Sequence, residues 1–240
     1  MPESAPEIVD TRGVLVERMF SAIAPRYDLL NRLLSAGRDR TWRREAVAAT
    51  ALPRQGMLLD VCTGTADMAL EAARQFPDAR IAGVDFSRPM VALGDAKIKR
   101  ARLGGRVQLQ VAPAEALPFA DDSFDAATVA FGLRNIPDRL RGLREMRRVV
   151  RRGARAVVLE FTTPPHPLFR RVFLWYFHRM LPKIGRLVSG HPSAYSYLPA
   201  SVSDFPSPGG LAQWMQEAGF SEVSYRLLTG GIVAIHIGVK

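Results

Sequence analysis

The stretch Met57-Leu-Leu-Asp-Val-Cys-Thr-Gly-Thr-Ala-Asp67 constrains the fold of this chain more than any other. Met57 to Val61 is a short apolar run with one acid, Asp60, near its end, the pattern of a strand buried on both faces. A turn of small residues follows, Cys62-Thr63-Gly64-Thr65, and Ala66 to Phe76 then reads as a helix. Gly64 and its neighbours let a ligand approach the main chain, and the helix start presents unpaired N–H groups to whatever lies in the turn. A second strand, Arg80 to Val84, ends in Asp85 about 20 residues after the turn, where a dinucleotide-type fold holds ribose hydroxyls.

Two ligand classes suit such a strand–turn–helix. A nicotinamide cofactor prefers G-x-G-x-x-G, which brings a pyrophosphate to the helix N-terminus. Only one glycine is present here, and Asp67 in the first helical turn would repel a diphosphate. S-adenosylmethionine, a sulfonium that also carries an ammonium group, tolerates both Asp60 and Asp67. An ordinary strand–turn–helix with no ligand is the third option.

The rest of the chain repeats the rhythm. Val107 to Val111, Ala126 to Phe131 and Ala154 to Phe161 read as further strands. A basic helix over Arg88 to Arg102 precedes the first of these. Another, from Pro137 and Asp138 to about Val150, precedes the last and stops at Arg151-Arg-Gly153. Ser207 to Ala218 is a helix, and Ser221 to Leu228 with Ile232 to Val239 form a hairpin around Thr229-Gly-Gly231. The expected fold is α/β and Rossmann-like: a seven-stranded, mostly parallel sheet with a C-terminal antiparallel hairpin, the layout of class I S-adenosylmethionine-dependent methyltransferases. Three helices precede the first strand, over Gly13 to Ile23, Ala24 to Ser35 and Asp39 to Thr50, and are expected to cap the mouth of the sheet. Tyr27, Asp28 and Asn31 gather on one helical face there. The expected division is a cap over 1–52 and a methyltransferase domain over 53–240, with 162–206 as an insertion facing substrate or membrane, in one structural domain.

That insertion breaks the rhythm. Its run Leu168-Phe-Arg-Arg-Val-Phe-Leu-Trp-Tyr-Phe-His-Arg-Met-Leu181 is apolar and aromatic with interleaved arginine, as a helix over the site or a lipid-facing surface would be. His191 to Phe205 reads as a loop carrying Tyr195, Tyr197, Ser201 and Asp204. The net charge of +10, from 33 Lys and Arg against 23 Asp and Glu, attracts nucleic acid or an anionic membrane, or simply solvates the surface. The single Cys62 excludes an internal disulfide, suits a reducing compartment and leaves no metal site expected. No run approaches the ~18 apolar residues that span a bilayer. The chain reads as cytoplasmic.

Several motifs together resemble the C-methyltransferases of ubiquinone and menaquinone biosynthesis, from about Val16 to Lys240. They are Met19-Phe-Ser-Ala-Ile-Ala-Pro-Arg-Tyr-Asp28, Leu59 to Asp67, Ala114-Glu-Ala-Leu-Pro-Phe119, Phe131-Gly-Leu-Arg-Asn135, Leu159-Glu-Phe161 and Gly230-Gly-Ile-Val-Ala-Ile-His236. Cys62 and Ala66 in the turn look more like the menaquinone-only branch. The resemblance implies that Asp60, Gly64, Thr65, Asp67, Asp85, Pro113 and Ala114 surround S-adenosylmethionine. Thr65 would contact it, Asp85 would hold its ribose, and Pro113 with Ala114 would frame its adenine. The family usually has Asn or Asp where Pro113 stands. Proline offers neither an N–H nor a side-chain acceptor, which leaves the Ala114 N–H for the ring.

The reaction implied is methylation of a ring carbon of demethylmenaquinol, with the benzoquinol of the ubiquinone pathway as the competing acceptor. A hydroquinone carbon becomes nucleophilic once its neighbouring hydroxyl loses a proton, whereas the oxidised ring is electrophilic. The catalytic candidates are Arg134, Asn135, Tyr27 and Asp28. Arg134 would stabilise a phenolate or orient a water, since a guanidinium is no base at neutral pH, unless it is tied up in a salt bridge with Glu160 or Asp138. Asn135 would hold a quinol oxygen. Asp28, Tyr27, Tyr197 and His236 are candidate proton acceptors, with His236 reading more readily as a satisfied strand residue. A polyprenyl quinol implies contact with a membrane surface, peripheral on the inner face of the plasma membrane. No nucleic acid partner is expected, and oligomeric state stays open. A methyltransferase of soluble phenols, an RNA methyltransferase and a non-enzymatic binding module are the rival readings.

Overall fold

The chain is described by a computed structural model that covers residues 28–29, 31–33, 35–180 and 199–240. Its strands are β1 (Met57–Val61), β2 (Arg80–Asp85), β3 (Val107–Val111), β4 (Phe124–Ala130), β5 (Val150–Phe161), β6 (Ser221–Leu228) and β7 (Val233–Val239). They form one sheet in the order β3-β2-β1-β4-β5-β7-β6. The first five pair in parallel, and β7 runs antiparallel between β5 and β6. The hairpin expected at the C-terminus therefore inserts its second strand into the sheet and leaves its first at the edge.

Parallel neighbours need crossovers, and the helices supply them on both faces. The helices are α1 (Asp39–Ala49), α2 (Asp67–Gln75), α3 (Arg88–Arg100), α4 (Arg139–Val149), α5 (Pro167–Trp175) and α6 (Pro208–Glu217). Trp42, Ala46 and Val47 of α1, Ala69, Ala72 and Ala73 of α2 and Ile98 of α3 pack on one face with Leu58, Ile81, Leu159 and Ile235. Leu143 and Met146 of α4 with Leu211 and Met215 of α6 pack on the other, against Leu59, Val61, Val129 and Val158. Neighbouring residues of one strand (Leu58 and Leu59, Val158 and Leu159) thus serve opposite cores, as the period of two requires. This is why β1 and β5 read as continuous apolar runs.

The chain order reverses between β1 and β4, and a crevice opens beyond the carboxyl ends of these strands. Of the helices expected to cap that mouth, α1 lies on the sheet face beside α2, where Trp42 Nε1–H donates to Thr229 Oγ1 at 2.8 Å. Asp28 does reach the mouth, as described below. The helix expected over Gly13 to Ile23, with Tyr27, Tyr195 and Tyr197, lies outside the described residues.

Two local expectations need correcting. Arg151-Arg-Gly153 is part of β5 rather than a break between helix and strand. Val150 already pairs with Phe124, and the register shift between Phe124 and Ala126 absorbs the extra residues. Gly153, at φ +78°, donates its N–H to Lys240 O at the sheet end. Residues 199–203, expected to be loop, are helical, with Asp204 N–H on Ala200 O and Ser201 and Val202 buried.

Helix α4 begins beside the crevice, and Asp138 caps it by accepting the Arg141 N–H at 2.9 Å. Asp138→Ala should lower unfolding free energy by about 1 kcal/mol, read as a shift of the urea midpoint at constant slope.

Candidate active site

Beyond β1, β2 and β4 lies a cavity of about 190 Å³. Cys62 and Gly64 of the turn line it, with Asp85, Phe86 and Met90 after β2, Ala112 to Glu115 after β3, and Ala130 to Gly132 with Asn135 to Pro137 after β4. Asp85 joins two of these walls. Its Oδ2 accepts the Gly64 N–H at 2.8 Å and its Oδ1 the Ser87 N–H at 2.9 Å. Burial pushes the Asp85 carboxyl up from its ordinary value, and the two amides only partly offset that. Hydroxyl donors from a ligand would relieve the remainder.

The turn itself is conformationally demanding. Cys62, Ala66 and Phe131 all hold positive φ (55°, 69° and 59°) without being glycine. Such residues cost on the order of 1–3 kcal/mol each and persist where surrounding contacts impose them. Gly64, at φ +55°, is different: a Cβ there would meet nothing within 4 Å, because the space in front of it is open. A Cβ at Gly132 would come within 2.3 Å of Cys62 Cβ, so the β4 wall approaches the turn only because position 132 is glycine. Burial, reinforced by the Asp85 charge, pushes the Cys62 thiol well above its usual range, so it stays protonated and is no nucleophile.

Asp60 lies beneath the turn and does not line the cavity. Its carboxylate accepts the Thr63 hydroxyl at 2.7 Å and the Thr128 hydroxyl at 2.9 Å, and it is 1% exposed. Burial pushes its pKa up to about 6 against the pull of both hydroxyls. Thr65 and Asp67 also face away from the cavity. The Thr65 hydroxyl donates to Asp28 Oδ1 at 2.6 Å, and Lys97 Nζ donates to Asp28 Oδ2 at 2.7 Å, to Thr65 Oγ1 at 3.0 Å and to Asp67 Oδ1. Asp28 is thus carried onto the turn after β1 by a lysine of α3.

Arg134 does not line the cavity either. Its Nη1 donates to Glu160 Oε1 at 2.7 Å and to Phe131 O at 2.5 Å, the pair being almost wholly buried. The salt bridge with Glu160 envisaged from the sequence is therefore made, while Arg134 Nε has no hydrogen-bond partner among the described residues. The guanidinium also sits over the Phe161 ring, 5.6 Å from its centroid. Asn135, by contrast, lines the cavity, as do Gly64, Asp85, Pro113 and Ala114. His236 lies in β7, donates Nε2–H to Pro208 O at 2.8 Å and is 1% exposed; burial lowers its pKa. It is a buried strand residue and does not line the cavity.

Phe86, Met90, Glu115, Ile136 and Pro137 also line the cavity and were not singled out in the sequence. Phe86, Glu115 and Ile136 directly follow Asp85, Ala114 and Asn135, and Pro137 comes one residue later, so adjacency to a strand's carboxyl end was the available signal for these four, while Met90, inside α3, gave none. Lys97 gave none, being one cation among several on a basic helix.

A sheet of this order with its crevice at the β1/β4 switch, an acid at the tip of β2 and a lone glycine facing open space define the class I S-adenosylmethionine-dependent methyltransferase fold. Consistent with this, an S-adenosylmethionine-dependent methyltransferase from Thermotoga maritima superposes with a TM-score of 0.63 at 20% identity, covering 93% of this chain and 99% of that one. Over residues 7–240 the sequence matches the ubiE/COQ5 methyltransferase family, and the chain belongs to it. It is 50% identical over 230 residues to a ubiquinone/menaquinone biosynthesis C-methyltransferase of Geobacter sp. (strain M21), covering 95% of this chain and 97% of that one. It is 50% identical over 220 residues to a demethylmenaquinone methyltransferase of Thermus thermophilus, covering 92% and 99%. The site fits the cofactor of this family: open space at Gly64 leaves room for a ligand against the main chain, and the buried Asp85 carboxylate lining the cavity is an acceptor suited to hydroxyl donors.

The Asp60 carboxyl gives a pH test. Its folded pKa, about 6, lies above the unfolded value of 3.8, so the stability it contributes is fully present below about pH 4 and is lost as pH rises through about 6. Asp60→Asn, which carries no charge, should gain stability relative to the unmodified protein by up to about 3 kcal/mol between pH 4 and pH 7. Urea midpoints at both pH values check it.

Proposed function

We propose that this chain transfers the methyl group of S-adenosylmethionine to a ring carbon of demethylmenaquinol. One observation favours a polyprenyl acceptor over a soluble phenol. The cavity wall continues into a ribbon of aromatic rings that ends at an exposed apolar helix face. Phe131, which lines the cavity, packs on Phe161 at 4.7 Å between centroids. Phe161 meets Phe177 at 6.3 Å, and Phe177 stacks on Phe173 at 4.9 Å. Phe173 belongs to α5, whose opposite face exposes Leu168, Val172 and Trp175 at one-turn spacing, 69%, 56% and 60% accessible. A ring seated at the cavity and an apolar tail led along this ribbon fit one molecule.

Bound S-adenosylmethionine supplies an electrophilic sulfonium methyl. The residues of the chain bind and align. Asp85 accepts the ribose hydroxyls, Gly64 lets the cofactor lie against the turn, and the Ala114 N–H serves the adenine beside Pro113. Asn135 holds a quinol oxygen. Arg134 acts from behind: by fixing Phe131 O and Glu160 it positions the wall that carries Phe131 and Asn135. Asp60 and Asp67 keep the turn's shape and charge rather than touching the ligand. Both Asp28 oxygens are engaged, so Asp28 anchors its segment, and Tyr27 beside it in sequence remains the candidate for proton transfer. Alignment of the two reactants with water excluded is worth on the order of 7–11 kcal/mol.

Labelled methyl from S-adenosylmethionine should appear on reduced demethylmenaquinone in detergent and not on the oxidised quinone. Label on a 2-polyprenyl-benzoquinol in preference to the naphthoquinol would move the acceptor to the ubiquinone pathway, and label on neither would reject the quinol reading.

The same reading gives the protein a lipid contact through α5. Among the described residues no helix is long and apolar enough to cross a membrane, so the contact would be peripheral. Arg171 and Arg179 are exposed beside the apolar face, whereas Arg170 is engaged with Pro164 O and Pro165 O. Each cation is worth about 1 kcal/mol at an anionic surface. Reversing both exposed ones to Glu should weaken binding to anionic vesicles more than about tenfold in a sedimentation assay.

A further inference from the structure

We infer that Lys97 is a positioning residue that straps Asp28 to the cofactor turn and thereby sets the affinity for S-adenosylmethionine and its product, not the rate of methyl transfer. The inference rests on the cofactor assignment of the Gly64 turn and is independent of the acceptor. A lysine ammonium has three donors, and here all three are matched: Asp28 Oδ2, Thr65 Oγ1 and Asp67 Oδ1. The Thr65 hydroxyl completes the ring of contacts by donating to Asp28 Oδ1 at 2.6 Å. Three distant stretches of chain (the N-terminal segment, the turn and α3) are therefore held by one cation.

The fold prepares this meeting. Gly94 stands one turn before Lys97 on α3, and a Cβ there would lie 2.6 Å from Leu109, 3.2 Å from Ala66 and 3.4 Å from Gly64 O. Glycine lets α3 press against the turn closely enough for Lys97 to reach it. The turn needs such support, because Cys62 and Ala66 occupy the left-handed region without being glycine. Removing the cation leaves Asp28 and Asp67 facing each other uncompensated. Repulsion would displace Asp28, free the Thr65 hydroxyl and let the strained turn relax away from the shape that Gly64 presents to the ligand. The three side chains are about a quarter to a third exposed, so the strap is screened by salt and weak enough to open.

Titration of S-adenosylhomocysteine into the full chain reads the effect without any acceptor. Lys97→Met should weaken binding about tenfold. Lys97→Arg should recover part of the loss, and Lys97→Met combined with Asp67→Asn should recover more by removing the surplus negative charge. The unmodified protein should lose affinity as salt rises to about 0.5 M while the Lys97→Met protein does not. In turnover, KM for S-adenosylmethionine should rise with kcat within about twofold. Unchanged affinity in Lys97→Met, or a fall in kcat at unchanged affinity, would overturn the proposal. Should Lys97→Met fail to fold, Asp28→Asn keeps the Lys97–Asp67 pair and must weaken binding at low salt while losing the salt dependence of the unmodified protein; unchanged affinity there overturns it equally.

Discussion

The Asp85 carboxylate is the contact on which the site depends. By accepting one amide from the turn after β1 and one from the start of α3, it fixes the distance between two crossovers that the sheet alone would leave independent. A buried carboxylate is costly unless donors surround it. Two backbone amides make its burial tolerable, and the residue lines the cavity. The same group therefore holds two walls of the cavity in place.

A second buried acid works beneath the turn and a third behind the β4 wall. Asp60 ties the turn to β4 through Thr63 and Thr128. Glu160 holds Arg134, which in turn holds Phe131 O. Breaking a buried pair of this kind leaves an uncompensated charge, typically at a cost of about 3–5 kcal/mol. Charged groups that a sequence reading places in contact with ligand thus hold together backbone segments around the cavity. The cavity is consequently lined mostly by apolar side chains and main chain, with Asp85, Glu115 and Asn135 as its polar groups.

The aromatic ribbon links this chemistry to the surface. Phe131 lines the cavity, Phe161 ends β5, and Phe173 and Phe177 carry the series to the amphipathic α5. Arg43 and Arg134 lie over two of its rings, at 5.5 and 5.6 Å. A hydroquinone head with an apolar tail can use both ends at once. A soluble phenol would leave the outer half of the ribbon and the exposed face of α5 without purpose.

The sequence by itself determined the alternation of strands and helices, the residues of β1 and β3 to the position, and two residues that line the cavity, Gly64 and Asp85. These follow from local physics: apolar period, small-residue turns, and an acid at a strand end. It could not determine that β7 enters the sheet between β5 and β6, that β5 begins at Val150, or which acids face the cavity. Strand order and register are settled by pairing between distant segments, and the direction of a side chain by the partner it finds there. Asp60 found Thr128, Arg134 found Glu160, and Asp67 found Lys97, each more than 25 residues away in the chain. Only the tertiary structure brings such partners together, because a carboxylate at a strand end reads the same in sequence whether it meets a ribose or a buried hydroxyl.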